Sequence, residues 1–245
     1  VIRPRRLEAR CGSPETVRNL RPVRHLWYAA YGSNMHLDRL TYYLAGGRPP
    51  GGLRTYPGCR DPRHPARTAP IMLPGLLYFA TESQVWTGGR AFYDPGTEPE
   101  PGSAPAGKPA DSEAELPARA YLLTPQQFSD IAAQEMYREP GEDLDLTEAL
   151  TRGRSRIGPG RYETLVCAGL LDGCPVLTFT APWSSKDIAL NPPSAPYLRH
   201  IAAGIVAAHG WSPLRAAEYL AGCPGAQGHW TATDIAALLT APGTS

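Results

Sequence analysis

The sequence predicts an α/β chain of mixed strand direction, a small mixed β-barrel or sheet with helices packed outside it. Three observations predict this. The apolar patterns run strand and helix, two strands, strand and helix, a hairpin, and then helices alone, whereas a doubly wound parallel fold would alternate strand with helix throughout. Asp172-Gly173 between two apolar runs is a turn signal for an antiparallel pair. Finally, 27 Pro and 25 Gly make up about a fifth of the 245 residues, so the elements are short and joined by many loops.

Taken in order, residues 1–24 carry seven arginines against two glutamates with almost no apolar periodicity, which predicts a basic, flexible, solvated extension. Leu26 to Tyr31 is an apolar and aromatic run that stops at Gly32-Ser33-Asn34, so a strand feeds a tight turn and a helix start. Leu37, Leu40, Tyr43 and Leu44 keep helical spacing until Gly46-Gly47. Residues 48–70, rich in Pro, Gly and Arg, predict a long irregular loop of the kind that shapes a pocket. Short strands follow at 76–80, 90–93 and 117–123. Between the last two, residues 95–115 hold too little apolar surface to offset the entropy of ordering, which predicts a mobile insert.

The helix from Pro125 to Tyr137 is the best specified element, with Thr124 at the N-cap, Pro125 at the first helical position and Gln127 completing a capping box. Strands at 162–171 and 176–180 flank Asp172-Gly173. Helices at 197–209, 213–221 and 234–239 close the chain, the first ended by Gly210 and the second capped by Ser212. The expected organisation is therefore one domain over 25–222 with a helical tail at 223–245.

Several function classes drop out. With 24 Lys+Arg against 23 Asp+Glu the chain has no global field to recruit nucleic acid or an anionic membrane. No apolar run approaches the roughly 18 residues of a spanning helix, and the N-terminus lacks an apolar signal core, so the expected location is cytoplasmic. Five dispersed cysteines without CxxC spacing argue against a disulfide framework and against a zinc site. There is no GxSxG, Walker loop, GxGxxG followed by an acid, or HExxH. His36, His200 and His209 lie near helix ends, where capping or surface roles are the default.

Two places break local expectation. On the 125–137 helix, Phe128, Ile131 and Ala132 define the inward stripe, and its next position is Glu135. An inward carboxylate is either paired with a cation, for which Arg138 is available one turn on, or held for proton transfer. The second place is Tyr31-Gly32-Ser33-Asn34-Met35. A strand end with Gly and small polar residues before a helix start offers backbone N–H groups to a carboxylate or oxyanion, and ordinary capping accounts for the same residues.

Taken together, the sequence resembles the γ-glutamyl cyclotransferase-like superfamily, whose first strand ends in a Tyr-Gly-Ser-Asn-(Leu or Met) turn, here Tyr31 to Met35. The resemblance continues through Gly88-Gly89-Arg90-Ala91-Phe92, through Ala120 to Leu123 leading to Ala133-Gln134-Glu135, and to Asn191-Pro192-Pro193-Ser194-Ala195-Pro196-Tyr197, about residues 26–222 in all. It implies a small mixed β-barrel and Glu135 as the catalytic acid and base. It also implies a γ-glutamyl group held at Tyr31, Gly32, Ser33, Asn34, Met35 and Tyr197, with no cofactor and no metal. The implied reaction is attack of the substrate's own α-amine on its side-chain carbonyl, giving 5-oxoproline and a free amine. Met136 stands where many members have Gly, and the arm, loops, insert and tail leave the amine open between glutathione-type substrates and a γ-glutamyl-protected metabolite of a biosynthetic pathway. The Ala/Arg/Gly/Pro-rich composition suits a GC-rich bacterial genome. Acyl transfer to another amine from the same site, or a non-catalytic binding module on the same fold, are the alternatives.

Overall fold

In a computed structural model, which describes residues 2–8, 11, 23–49, 54–96 and 114–240, the strand Leu26–Ala30 (β1) is buried along its whole length. Its side chains alternate between two apolar clusters, Leu26, Tyr28 and Ala30 on one face and Trp27 and Ala29 on the other. A strand buried on both faces belongs at the centre of a sheet, and β1 lies there.

The other strands are Arg67–Pro74 (β2), Leu76–Ala80 (β3), Arg90–Asp94 (β4), Glu115–Leu123 (β5), Arg154–Arg156 (β6), Thr164–Leu171 (β7) and Cys174–Thr180 (β8). Six form a mixed sheet in the order β2-β5-β1-β8-β7-β6, and β3 and β4 form a separate antiparallel pair. β1 runs antiparallel to β5 and parallel to β8. The expected mixed strand direction is therefore present. The expected barrel is not: among the described residues the sheet is open, with β2 and β6 as unjoined edges. Apolar alternation fixes which face of a strand is buried but not whether the two edges meet.

Helices Leu37–Ala45 (α1), Pro125–Glu135 (α2) and Thr147–Arg152 (α3) cover the face of Leu26 and Tyr28. Helices Ala195–His209 (α4), Pro213–Ala221 (α5) and Ala232–Thr240 (α6) cover the face of Trp27. Ile235 on α6 is fully buried in that core, so the tail expected at 223–245 is continuous with the domain through Thr240.

Local chemistry accounts for the element ends. Thr124 and Gln127 make the full capping box of α2. Asp172 and Gly173 both adopt positive φ, 51° and 69°, as a type I′ hairpin turn requires. Part of the region expected as loop is instead β2, whose Ala69, Ile71 and Leu73 point inward. Its two prolines hid it, and they are tolerated because β2 is an edge.

That edge is covered by the N-terminal segment, which was expected to be free. Arg5 N–H donates to the Pro70 carbonyl at 2.9 Å, Met72 N–H donates to the Arg5 carbonyl at 3.2 Å, and the Arg5 guanidinium pairs with Asp172. Covering an edge strand in this way blocks pairing with another chain. Cys11 is joined to Cys167 in a disulfide, against the sequence expectation, because a pairing 156 residues apart leaves no spacing signature. Most of the insert expected at 95–115, residues 97–113, lies outside the described residues. No helix among the described residues is long and apolar enough to cross a membrane.

Candidate active site

β1 delivers its chain to the cleft through Tyr31, whose hydroxyl donates to the Phe179 carbonyl on β8 at 2.8 Å. Gly32 follows, and Ser33–Met35 make a single 3-10 turn. Three contacts hold this turn from behind. The buried Tyr121 hydroxyl lies 2.8 Å from the Asn34 carbonyl and 3.0 Å from that of Met35, and it donates to this edge of the turn. His200 Nε2 lies 3.1 Å from the Ser33 carbonyl; burial holds its imidazole down to about 4, so the neutral ring donates from that nitrogen. Arg39 Nε donates to Ser33 Oγ at 3.2 Å.

Glu135 arrives from the other side as the last residue of α2, held in place by Phe128 and Ile131, both fully buried. Asn34 Nδ2 donates to Glu135 Oε1 at 2.9 Å and approaches the Tyr28 hydroxyl at 3.3 Å. The two places singled out in the sequence, 101 residues apart, are thus in direct contact. Arg138 is not the partner of Glu135. It turns away to Glu163, so Arg138 does not account for the inward carboxylate.

One cleft with two lobes opens at Glu135. The inner lobe is walled by the turn residues Tyr31 to Asn34 with Tyr28, Ala91, Tyr162, Phe179 and Tyr197. The outer lobe is walled by arginines and aromatic rings, and the two lobes share Ser33, Glu135, Tyr162 and Tyr197. The phenols around Glu135 stay protonated. Burial, and then the charge of Glu135, pushes Tyr28 and Tyr43 well above the ordinary phenol range. Burial pushes Tyr197 up to about 12. Glu135 is thus held among neutral hydroxyls and one amide donor without a salt bridge, the charge of Arg39 acting on it only from a greater distance.

The remaining expected residues divide. Tyr197, on α4, is 5 % exposed, stacks on Trp86 at 5.3 Å between centroids, and accepts from Ala91 N–H at 3.4 Å. Gly32 has φ −112° and ψ −139°, and an added Cβ would stand 3.4 Å from the Tyr197 hydroxyl and 3.7 Å from Ala91 Cβ. Its missing side chain leaves open space on the lobe floor. Met35 does not face the cleft. Its side chain is buried in the core under α4, and its N–H is taken by the Gly32 carbonyl at 3.1 Å. His209, expected at the surface or as a cap, is 1 % exposed and its Nε2 lies 3.0 Å from the Ala118 carbonyl. Among the described residues no three His, Cys, Asp or Glu side chains gather in a metal-holding group.

Two sequence segments noted separately prove to be partners. Gly89 N–H donates to the Pro192 carbonyl at 2.8 Å, Gly88 and Pro193 form a bridge, and Ser194 Oγ donates to the Trp86 carbonyl at 2.6 Å. This clamp sets Trp86 against Tyr197. Sequence reasoning missed Arg39, Arg54, Arg90 and Arg161 in the outer lobe. Only Arg90 left a signal, as a charge leading directly into the apolar strand Ala91-Phe92-Tyr93.

No family model matches the chain. Among curated proteins, histone deacetylase 5 of Arabidopsis thaliana is 28% identical over 211 residues, 80% of this chain. The chain spans 30% of that protein's length. Among solved structures, an uncharacterized human protein aligns over 89% of this chain and 99% of its own at 15% identity, with a TM-score of 0.44. A γ-glutamyl cyclotransferase aligns over 88% and 98% at 14% identity, with a TM-score of 0.40. A yeast γ-glutamyl cyclotransferase specific to glutathione aligns over 89% and 95% at 14% identity, with a TM-score of 0.26.

Proposed function

We propose that this chain is a γ-glutamyl cyclotransferase-like enzyme that cleaves a γ-glutamyl amide to 5-oxoproline and a free amine. The observation that carries the reading is the contact between Asn34 and Glu135 across the inner lobe, which puts a carboxylate and a polar turn on one small cavity. Glu135 takes a proton from the α-ammonium of the substrate, and the freed amine attacks the side-chain amide carbon. A five-membered ring closes through an oxyanion, which then collapses as the carbon–nitrogen bond to the leaving group breaks. Glu135 returns that proton to the departing nitrogen, and the second proton, shed by the ring nitrogen as it becomes the lactam N–H, passes by way of Glu135 to the released amine, so protons and atoms balance without a cofactor.

Asn34 holds Glu135 in position, and the N–H groups of the Ser33–Asn34 turn and the Tyr197 hydroxyl are the donors for the substrate carboxylate and the oxyanion. Walls that hold amine and carbonyl together supply the orientation that makes ring closure fast. Removing a γ-glutamyl protecting group from a metabolite is a role this chemistry suits.

Incubation with a panel of γ-glutamyl amides, with 5-oxoproline followed by mass spectrometry, tests the reading. Glu135→Gln keeps an acceptor for Asn34 and removes only the base, so turnover is expected to fall by about 10²–10⁴-fold. A Gln variant as active as the parent would falsify the assignment of Glu135.

A further inference from the structure

The two lobes of the cleft differ sharply in charge. The inner lobe holds Glu135 and no cation, whereas the outer lobe adds Arg39, Arg54, Arg90 and Arg161. Among the described residues none of the four forms a salt bridge, although the charge of Glu135 acts on Arg39 across the cleft. Arg39 donates to the neutral Tyr56 hydroxyl at 2.7 Å and to Ser33 Oγ, and Arg54 to the Gln134 carbonyl at 2.9 Å. Arg161 Nε is buried with no hydrogen-bond partner. Arg90 is 8 % exposed at the start of β4. Glu163, the nearby acid in sequence to Arg161, is already taken by Arg138. A buried guanidinium without an anion, such as that of Arg90, is costly to a fold, and Arg90 and three half-buried arginines around one cleft that holds a single carboxylate describe a site built for an anion from outside.

We infer that the outer lobe receives the leaving amine and selects one that carries an acidic group, a carboxylate or a phosphate, bound by Arg90 and Arg161. This rests on the cyclotransferase reading, which sets the γ-glutamyl end in the inner lobe. Glu135 and Ser33 lie on the wall common to both lobes, so the scissile amide sits between them and whatever follows its nitrogen enters the arginine-lined side. The planar guanidinium fork matches both oxyacids. A polycationic amine is disfavoured by the same charges.

Four amides test this with the full chain: γ-glutamylalanine, γ-glutamylalaninamide, γ-glutamylphosphoethanolamine and the mono-γ-glutamyl amide of 1,4-diaminobutane. The first two differ only in the acid. Turnover is read as 5-oxoproline release, and binding is read separately by calorimetry on Glu135→Gln. Alanine over alaninamide is expected to be favoured about tenfold to a hundredfold in both readouts, with the diaminobutane amide poorest. Arg90→Gln and, independently, the half-buried Arg161→Gln should each pull the acid-to-amide ratio toward unity.

The phosphoethanolamine amide separates the two acids, the one with the larger arginine-dependent preference being the group selected. Turnover of all four amides without preference overturns the anion site and leaves the reaction standing. Arginine-dependent preference in binding without any 5-oxoproline leaves the anion site standing and removes the reaction. Absence of both binding and turnover overturns both.

Discussion

Gly32 and Asn34 share one turn and act in opposite ways, Gly32 by leaving space and Asn34 by filling it. Because an added Cβ would stand no closer than 3.4 Å to the Tyr197 hydroxyl and 3.7 Å to Ala91 Cβ, Gly32→Ala should still fold. The methyl would stand in the inner lobe, so KM for γ-glutamyl substrates should rise by about tenfold or more. A variant that unfolds, or one whose KM is unmoved, refutes this. Asn34→Ala removes the one amide donor to Glu135, and the expected loss is about 1–3 kcal/mol of stability in a chemical melt. At this scale the sequence was informative for residues that break a pattern. Glu135 did so on an apolar stripe, and the turn did so at a strand end. It was silent on Arg39, Arg54 and Arg161, because charged residues in a loop or on a helix look solvated until the fold places them at a cavity.

The clamp between β4 and the segment leading to α4 decides where Trp86 and Tyr197 stand. Gly89 has no room: an added Cβ would lie 1.9 Å from the Asn191 carbonyl oxygen. Gly89→Ala must therefore shift backbone, at a cost of about 1–3 kcal/mol, and should lower activity with the γ-glutamyl panel more than its stability loss explains at a temperature where the variant is folded. Equal activity per folded molecule argues against the clamp as a positioning element. Elements whose ends are set by local chemistry were legible, as with the capping box of α2 and the type I′ turn at Asp172-Gly173. β2 was not, because Pro70 and Pro74 are evidence against a strand everywhere except at a sheet edge, and edge position is a property of the whole sheet.

At the scale of the molecule, the sequence indicated mixed strand direction but neither the open sheet nor the docking of the N-terminal segment onto its edge, since both depend on contacts between distant segments. The same distant contacts bury His209 and half-bury His36 and His200. His200 and His209 are held down to about 4 by burial, and burial also lowers His36, whose ring faces that of His200 at 4.5 Å. In the unfolded chain each titrates near the ordinary value of 6.5. Above that pH both states are neutral and no proton is linked to folding. As pH falls from 6.5 toward 4 the unfolded chain takes up protons that the folded chain refuses, so stability must drop across that window. Each fully refusing histidine contributes a slope approaching one proton, about 1.4 kcal/mol per pH unit. The midpoint of chemical denaturation, followed at intervals between pH 8 and 4, should hold steady to about 6.5 and then decline. His209→Gln, remote from the cleft, should flatten that decline by about one proton, because the amide can still donate to the Ala118 carbonyl and has nothing to titrate. A His209→Gln profile parallel to that of the parent would show that the imidazole is protonated in the folded chain and that burial is not what sets its charge.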